Sequence, residues 1–247
     1  MIRRSLGSIK TLSARATRRP ARPRLDHGLG IGGMWERIGR LQFEFLVSEG
    51  LRPEHRLLDI GCGALRGGLH FVRYLHPGNY YGVEVEPRNL AAARTNLAAA
   101  GLVDRRPHLR KTSLFDVDFG VSFDFVLAQS VFTHLPLNPI RTCLCAVAAV
   151  LGEHGRFYAT FFRGPRDTTD RRSMIHHAED GPLVTHPDRN PFHYHPDELR
   201  WAARGTGLHA VDLGDWGHPR RQQMMLFTKD AELASSRLSR AAPLPDR

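Results

Sequence analysis

Two acids and two glycines are spaced in this chain so that they could cradle a nucleoside. The run Leu57-Leu58-Asp59-Ile60-Gly61-Cys62-Gly63 carries an apolar stretch into an acid and then into a turn, and Glu84 follows 21 positions after Gly63. Glycine at 61 and 63 lets the backbone turn sharply and approach a ligand closely. An acid about 20 residues beyond such a turn is placed to accept both hydrogen bonds of a ribose diol. Glu86 competes for that role, because it would share a strand face with Glu84. A dinucleotide fingerprint would need a third glycine and a site free of charge ahead of it, so that a pyrophosphate could sit on the helix N-terminus. Here Arg66 takes the third glycine's place, and Asp59 would repel a pyrophosphate but welcome a ligand's ammonium group.

The elements that must hold these residues are legible around them. Leu57–Ile60 reads as a strand, with a turn and a helix after it. Tyr80–Glu84 reads as a second strand, and Pro87 opens the next helix. Ser122-Phe123-Asp124-Phe125-Val126-Leu127-Ala128 reads as a later strand, followed by the loop Gln129-Ser130-Val131-Phe132-Thr133-His134-Leu135. In this order and spacing the three elements resemble the class I S-adenosylmethionine-dependent methyltransferases, L-L-D-I-G-C-G corresponding to their motif I.

The resemblance implies an α/β, three-layer Rossmann-like fold, with a seven-stranded, mostly parallel sheet and strand seven antiparallel. It implies S-adenosyl-L-methionine as cofactor, bound by Asp59, Gly61, Cys62, Gly63, Glu84, Val85, Ser113, Leu114 and Gln129. Asp59 would lie near the methionine part, Glu84 at the ribose, and the loop Ser113-Leu114-Phe115-Asp116 beside the adenine. Cys62 also reads simply as a small packing residue. Three shorter patterns resemble a narrower bacterial group of small, uncharacterised members: W-x-x-I-G-x-x-Q at Trp35–Gln42, L-R-G-G at Leu65–Gly68 and G-D-W-G-H-P at Gly214–Pro219. They imply no acceptor.

Methyl transfer from a sulfonium is an in-line displacement that rests mainly on alignment. A base is needed only for a hydroxyl or a protonated amine. His134, in the loop that would border the methyl group, is the first candidate; a packing or pocket-shaping role is the alternative. His193 and Tyr194 are second candidates. The H-x-H spacing of His193 and His195 brings no third ligand with it, so no metal is expected. The loop after the 123–128 strand reads Ala-Gln-Ser-Val. It lacks the N/D-P-P-Y/F pattern of amine methylation on DNA bases or glutamine amides, and it lacks a Pro-Cys nucleophile. A small-molecule or cell-envelope precursor acceptor is therefore favoured over nucleic acid. The alternatives are an RNA or protein methyltransferase docking through a basic tail, and a non-catalytic interaction subunit.

That tail holds most of the chain's charge. The 247 residues carry a formal net charge of +10, of which eight charges lie in residues 1–24 with no acid, leaving 27 basic and 25 acidic residues beyond. Residues 1–27 are expected to be a disordered, solvated tail, with arginines that offer weak contact to nucleic acid or anionic membrane. No apolar run approaches the roughly 18–20 residues that span a bilayer, and three cysteines are too few for a disulfide framework. A cytoplasmic protein is expected. Residues 28–230 form the expected methyltransferase domain and 231–247 a dispensable polar tail. Within the domain, Met34, Ile38, Leu41, Phe45 and Leu46 predict a covering helix ending at Gly50. The glycine run 28–33 with Trp35 reads either as a lid or as a linker beside a packing tryptophan. Residues 163–191 lack an apolar period and are expected as an insertion shaping the acceptor pocket. Leu208–Leu213 and Gln222–Thr228 predict a closing strand pair.

Overall fold

The computed structural model describes residues 33–167 and 169–240. The 1–27 tail, most of the 28–33 glycine run and residues 241–247 lie outside the described residues. The chain begins with α1 (Trp35–Ser48), β1 (Leu57–Ile60), α2 (Gly68–Tyr74), β2 (Tyr80–Glu84), α3 (Pro87–Ala99) and β3 (His108–Lys111). It continues through β4 (Phe123–Ala128), α4 (Leu137–Val150), β5 (Leu151–Arg163), β6 (Met174–Ala178), β7 (Gly181–Thr185) and β8 (His193–Tyr194). It ends with α5 (Pro196–Ala203), β9 (His209–Asp215), β10 (Gln223–Thr228) and α6 (Ala231–Arg240).

The main sheet runs β3-β2-β1-β4-β5-β10-β9. The first five strands are parallel to their neighbours, and β10 is antiparallel to both β5 and β9. This is the expected Rossmann-like methyltransferase order with one addition: β8 pairs with Phe162 and Arg163 of β5, beyond the last β4 partner at Ala159. Strand order reverses between β1 and β4, and the carboxyl ends at such a switch point open a crevice.

The side-chain alternation of the strands divides the core in two. Leu58, Ile60, Val126 and Phe157 face α4 and α5, packing on Leu144, Val147 and Leu199. Leu57, Phe125, Leu127 and Tyr158 face the other way, onto Leu46 of α1, Phe71 of α2, Leu90 and Leu97 of α3 and Ala234 of α6. Trp35 is 9% exposed and belongs to this second cluster. It packs rather than standing over the crevice.

Within residues 163–191, which show no apolar period in the sequence, β6 and β7 form an antiparallel hairpin from Met174↔Thr185 to Ala178↔Gly181. Its turn is Glu179-Asp180, and Gly181, which opens β7, has φ +119°. Arg37 of α1 pairs with Glu179, and Arg220 donates to Asp180 at 2.9 and 2.6 Å. Residues 231–240, expected as part of a dispensable polar tail, form α6. Asp230 caps α6 by accepting from the Leu233 N–H at 2.8 Å, Ala234 is buried, and Arg237 pairs with Glu49 at the end of α1. Pro136 stands at the N-terminal cap of α4.

Candidate active site

A cleft of about 650 Å³ opens at the switch point. That lies within the ~300–1,000 Å³ range of small-ligand sites. Its floor is the turn after β1. Gly61 and Gly63 have φ of +70° and +56°, and a Cβ on Gly61 would sit 2.6 Å from the Val131 side chain. Both glycines are thus required by backbone geometry, and the first also by space.

Asp59 is 4% exposed on β1 and accepts a hydrogen bond from the Tyr80 hydroxyl at 2.7 Å. Burial pushes its carboxyl up from the ordinary 3.8 to about 7; the Tyr80 bond and Arg66 oppose the rise, and Glu84 adds to it. Glu84 is 7% exposed at the end of β2. One of its oxygens accepts from the Gly63 N–H at 2.9 Å, and the other from the N–H groups of Val85 and Glu86 at 2.8 and 2.9 Å. Glu86 instead accepts from the Arg88 N–H and caps α3. Of the two acids, Glu84 lines the cleft and Glu86 does not. Cys62 lines the cleft and packs so closely on β2 that a Cβ on Gly82 would lie 2.9 Å from its sulfur. Val85 lines the mouth and is exposed.

Gln129 stands at the end of β4, 8% exposed, at the centre of a polar cluster that spacing alone did not reveal. Its Oε1 accepts from Arg66 Nη2 at 2.9 Å and from Gln42 Nε2 at 3.3 Å. Its Nε2 donates to Ser130 Oγ at 2.6 Å and meets His218 Nε2 at 3.2 Å. Gln222 donates to Ser130 Oγ at 2.9 Å and accepts from Thr160 Oγ1 at 2.7 Å. Burial, with Arg66 and Arg220 nearby, lowers His218 to about 4, so its ring is neutral at ordinary pH. Gln42, Arg66 and His218 come from the three short patterns noted in the sequence. Those patterns meet in space at this cluster, and their convergence was the available signal.

Beyond Gln129 the wall continues through Val131, Thr133, His134 and Leu135 to Phe162, Leu183, Asn190 and Pro191. His134 is an exposed residue of this wall, and its Nδ1 is 2.6 Å from Asn190 Oδ1. The Thr133 hydroxyl is buried with no hydrogen-bond partner among the described residues.

Four sequence candidates fall outside the wall. Ser113 and Leu114 stand in the loop after β3, Leu114 being 81% exposed. Thr112 Oγ1 accepts from the N–H groups of Leu114 and Asp116, and Arg110 pairs with Asp116 at 3.1 Å, so the loop turns on itself. His193 and Tyr194 form β8 and are buried. His193 Nδ1 pairs with Thr185 Oγ1 at 2.8 Å, and burial lowers its pKa. The Tyr194 hydroxyl donates to the Leu135 carbonyl at 2.6 Å, and burial raises its pKa. Both hold the hairpin and the 132–135 segment against β5. Among the described residues, no group of three or more His, Cys, Asp or Glu is arranged to hold a metal, and no helix is long and apolar enough to cross a membrane.

Residues 58–157 match a family model described as a methyltransferase domain. Several solved structures share the fold. An S-adenosylmethionine-dependent methyltransferase from Clostridium acetobutylicum ATCC 824 is 11% identical, with 77% of this chain and 89% of that chain covered and a TM-score of 0.56. Magnesium protoporphyrin IX methyltransferase from Synechocystis PCC 6803, solved with bound SAM, is 14% identical over 78% of this chain and 81% of that chain, with a TM-score of 0.57. A SAM-bound amino pentose methyltransferase from Micromonospora echinaspora is 18% identical over 81% and 93%, with a TM-score of 0.57.

Proposed function

On the premise that this chain carries a class I, Rossmann-like methyltransferase domain, we propose that it uses S-adenosyl-L-methionine to methylate a small-molecule or cell-envelope precursor acceptor. The observation that carries the reading is the convergence of Asp59, the Gly61–Gly63 turn and Glu84 on one cleft at the β1/β4 switch point. The residues fit the cofactor. Asp59 is a buried acid whose one hydrogen bond from the described protein goes to a single oxygen, which leaves the other to receive an ammonium. Glu84 is held in place by three N–H donors and retains acceptor lone pairs for a diol. Val85 offers an apolar surface beside it.

When bound, the cofactor supplies an electrophilic methyl group on a positively charged sulfur. The chain's own part is orientation and exclusion of water, which together can supply several kcal/mol. The glycine turn fixes one end of the ligand and the Gln129–Leu135 segment borders the other. The β6–β7 hairpin brings Leu183 over the cleft, which supports an acceptor-shaping role for residues 163–191. His134 is the base for an acceptor that must lose a proton. With Asn190 Oδ1 accepting from Nδ1–H at 2.6 Å, Nε2 carries the lone pair. The small-molecule reading draws support from neighbours that act on a porphyrin, an amino pentose and a glycopeptide.

The test is calorimetric titration of S-adenosylmethionine and S-adenosylhomocysteine into the protein, beside Asp59→Ala and Glu84→Ala variants shown to be folded. Micromolar binding, lost in both variants, is expected. A folded wild type that binds neither ligand would end this reading.

A further inference from the structure

The β6–β7 hairpin supplies Leu183 to the cleft, and its two ends are fastened by different chemistry. The tip is held by charge: Arg37 pairs with Glu179, Arg220 pairs with Asp180, and the Glu179 N–H donates to the Pro219 carbonyl at 2.9 Å. Hydrogen bonds from the two arginines hold both carboxyls below the ordinary range, so these pairs persist in mild acid.

The other end is held by histidine. Thr185 is fully buried at the end of β7, and its hydroxyl oxygen lies 2.9 Å from His176 Nε2 of β6 and 2.8 Å from His193 Nδ1 of β8. The His176 ring also packs on Phe162, a residue of the cleft wall, with ring centroids 4.9 Å apart. A hydroxyl carries one proton, so it can donate to only one of the two rings and must accept from the other. Two neutral imidazoles satisfy that chain in either direction. Two imidazolium rings do not, because both nitrogens would donate and the buried Thr185 proton would have no acceptor. His193 adds a second obstacle. Its Nε2 is buried with no hydrogen-bond partner among the described residues, so only Thr185 would solvate the charged ring.

The neighbouring charges do not reverse this. Asp170 favours a cation at His193, but Arg172 holds both of its oxygens, and His186 opposes the cation. On β5 Arg163 pairs with Asp212 at 2.5 Å, in the 132–135 segment His134 pairs with Asn190, and beside β8 Glu198 of α5 accepts from the His195 N–H at 2.7 Å. Burial is the largest influence on His176 and His193 and lowers both pKa values.

Resting on the acceptor-shaping role given above to residues 163–191, we propose that the His176–Thr185–His193 chain is a proton-operated catch on the acceptor wall. When both rings take up protons, the Thr185 end of the hairpin lets go of β8 while the pinned tip stays. A released imidazole titrates near its ordinary 6.5 and the fastened one below it. The released state therefore binds more protons in acid, and falling pH favours release. Between about pH 7.5 and about pH 5.5 this linkage multiplies the released fraction up to about 10-fold per histidine, or about 100-fold for the two.

Hydrogen exchange of the full chain, read by mass spectrometry and corrected for the intrinsic pH dependence of amide exchange, measures release without cofactor or acceptor. Protection across residues 174–185 is expected to fall about 10- to 100-fold over that pH range, while β1, β2 and β4 change by less than about threefold. The double variant His176→Gln, His193→Asn keeps a hydrogen-bonding group near each contact and cannot titrate, so its hairpin should be equally protected at both pH values. Unchanged protection in wild type would overturn the proposal. So would an equal fall in the folded double variant, or a fall shared by the whole sheet. Should that variant not fold, wild type decides alone. Failure to bind S-adenosylmethionine would instead end the functional reading and leave the catch standing without its acceptor role.

Discussion

Replacing Asp59 with Asn should make the protein more stable at alkaline pH and poorer at binding its ligand. The carboxyl is buried, and its pKa stands at about 7 against an ordinary 3.8. That difference weights the protonated over the ionised form by ~4 kcal/mol in the folded chain. The unfolded chain releases this proton near its ordinary value while the folded chain holds it to about 7. Between those limits the folded state binds more protons, so raising the pH favours unfolding. Asn keeps an oxygen to accept from Tyr80 and has no charge to bury. Near pH 5, where the unfolded carboxyl is already ionised, the variant's advantage should be ~1.5 kcal/mol, and it should grow to ~4 kcal/mol by pH 8. Urea denaturation across pH 5–8.5 measures the gap directly. A gap that does not change with pH would refute the argument, because it would mean that no proton is retained on folding. The same burial should make wild-type affinity for S-adenosylhomocysteine fall as the pH drops below about 7, since an ammonium ligand needs the ionised acid. Asp59→Asn should bind weakly at every pH.

Tyr80→Phe removes the donor that restrains Asp59, so the pH at which ligand affinity falls away should move upward; an unchanged titration of binding would contradict that role. Gly61→Ala places a Cβ 2.6 Å from Val131 at a φ of +70°. A loss of ~1–3 kcal/mol in denaturation midpoints is expected, together with weaker ligand binding, and wild-type stability would count against it. Arg237→Ala leaves the largely buried Glu49 without its partner on α6. Thermal melting should fall by several degrees, roughly the effect of 1–2 kcal/mol in a domain of this size. Deletion of residues 231–247 should cost at least as much, and an unaltered melt would restore the view that this segment is dispensable.

Strands β1, β2 and β4 were legible as short apolar runs, the first closed by Gly61 and the second by Pro87, and the acid-glycine spacing located the cleft. What failed to show was set by contacts distant in sequence. The β6–β7 hairpin has only one half-buried face, and its histidines and prolines hid the alternation of Met174, His176, Ala178 and Gly181, Leu183, Thr185. The Asp180-Gly181 step at the turn between alternating residues was the overlooked cue. Helix α6 is polar by composition, and its place depends on Arg237 reaching Glu49, 188 positions away. Asp230 as its cap was readable. His193 and Tyr194 carried chemistry-bearing groups in the expected region, yet strand pairing with Phe162 and Arg163 turned them into the fold. Arg66 was noticed as a departure from a glycine pattern and as part of L-R-G-G. Its hydrogen bond to Gln129, 63 residues on, was foreshadowed only by the recurrence of those short patterns.

Three backbone N–H groups from two separate turns converge on Glu84. The carboxylate is therefore frozen in orientation before anything enters the cleft. Little rotamer freedom is left to lose on association, so a sugar diol would meet a preset receptor. Such a receptor cannot swing to follow a displaced hydroxyl. Discrimination against 2′- or 3′-deoxy nucleosides should accordingly be sharp, appearing as faster dissociation rather than as slower arrival.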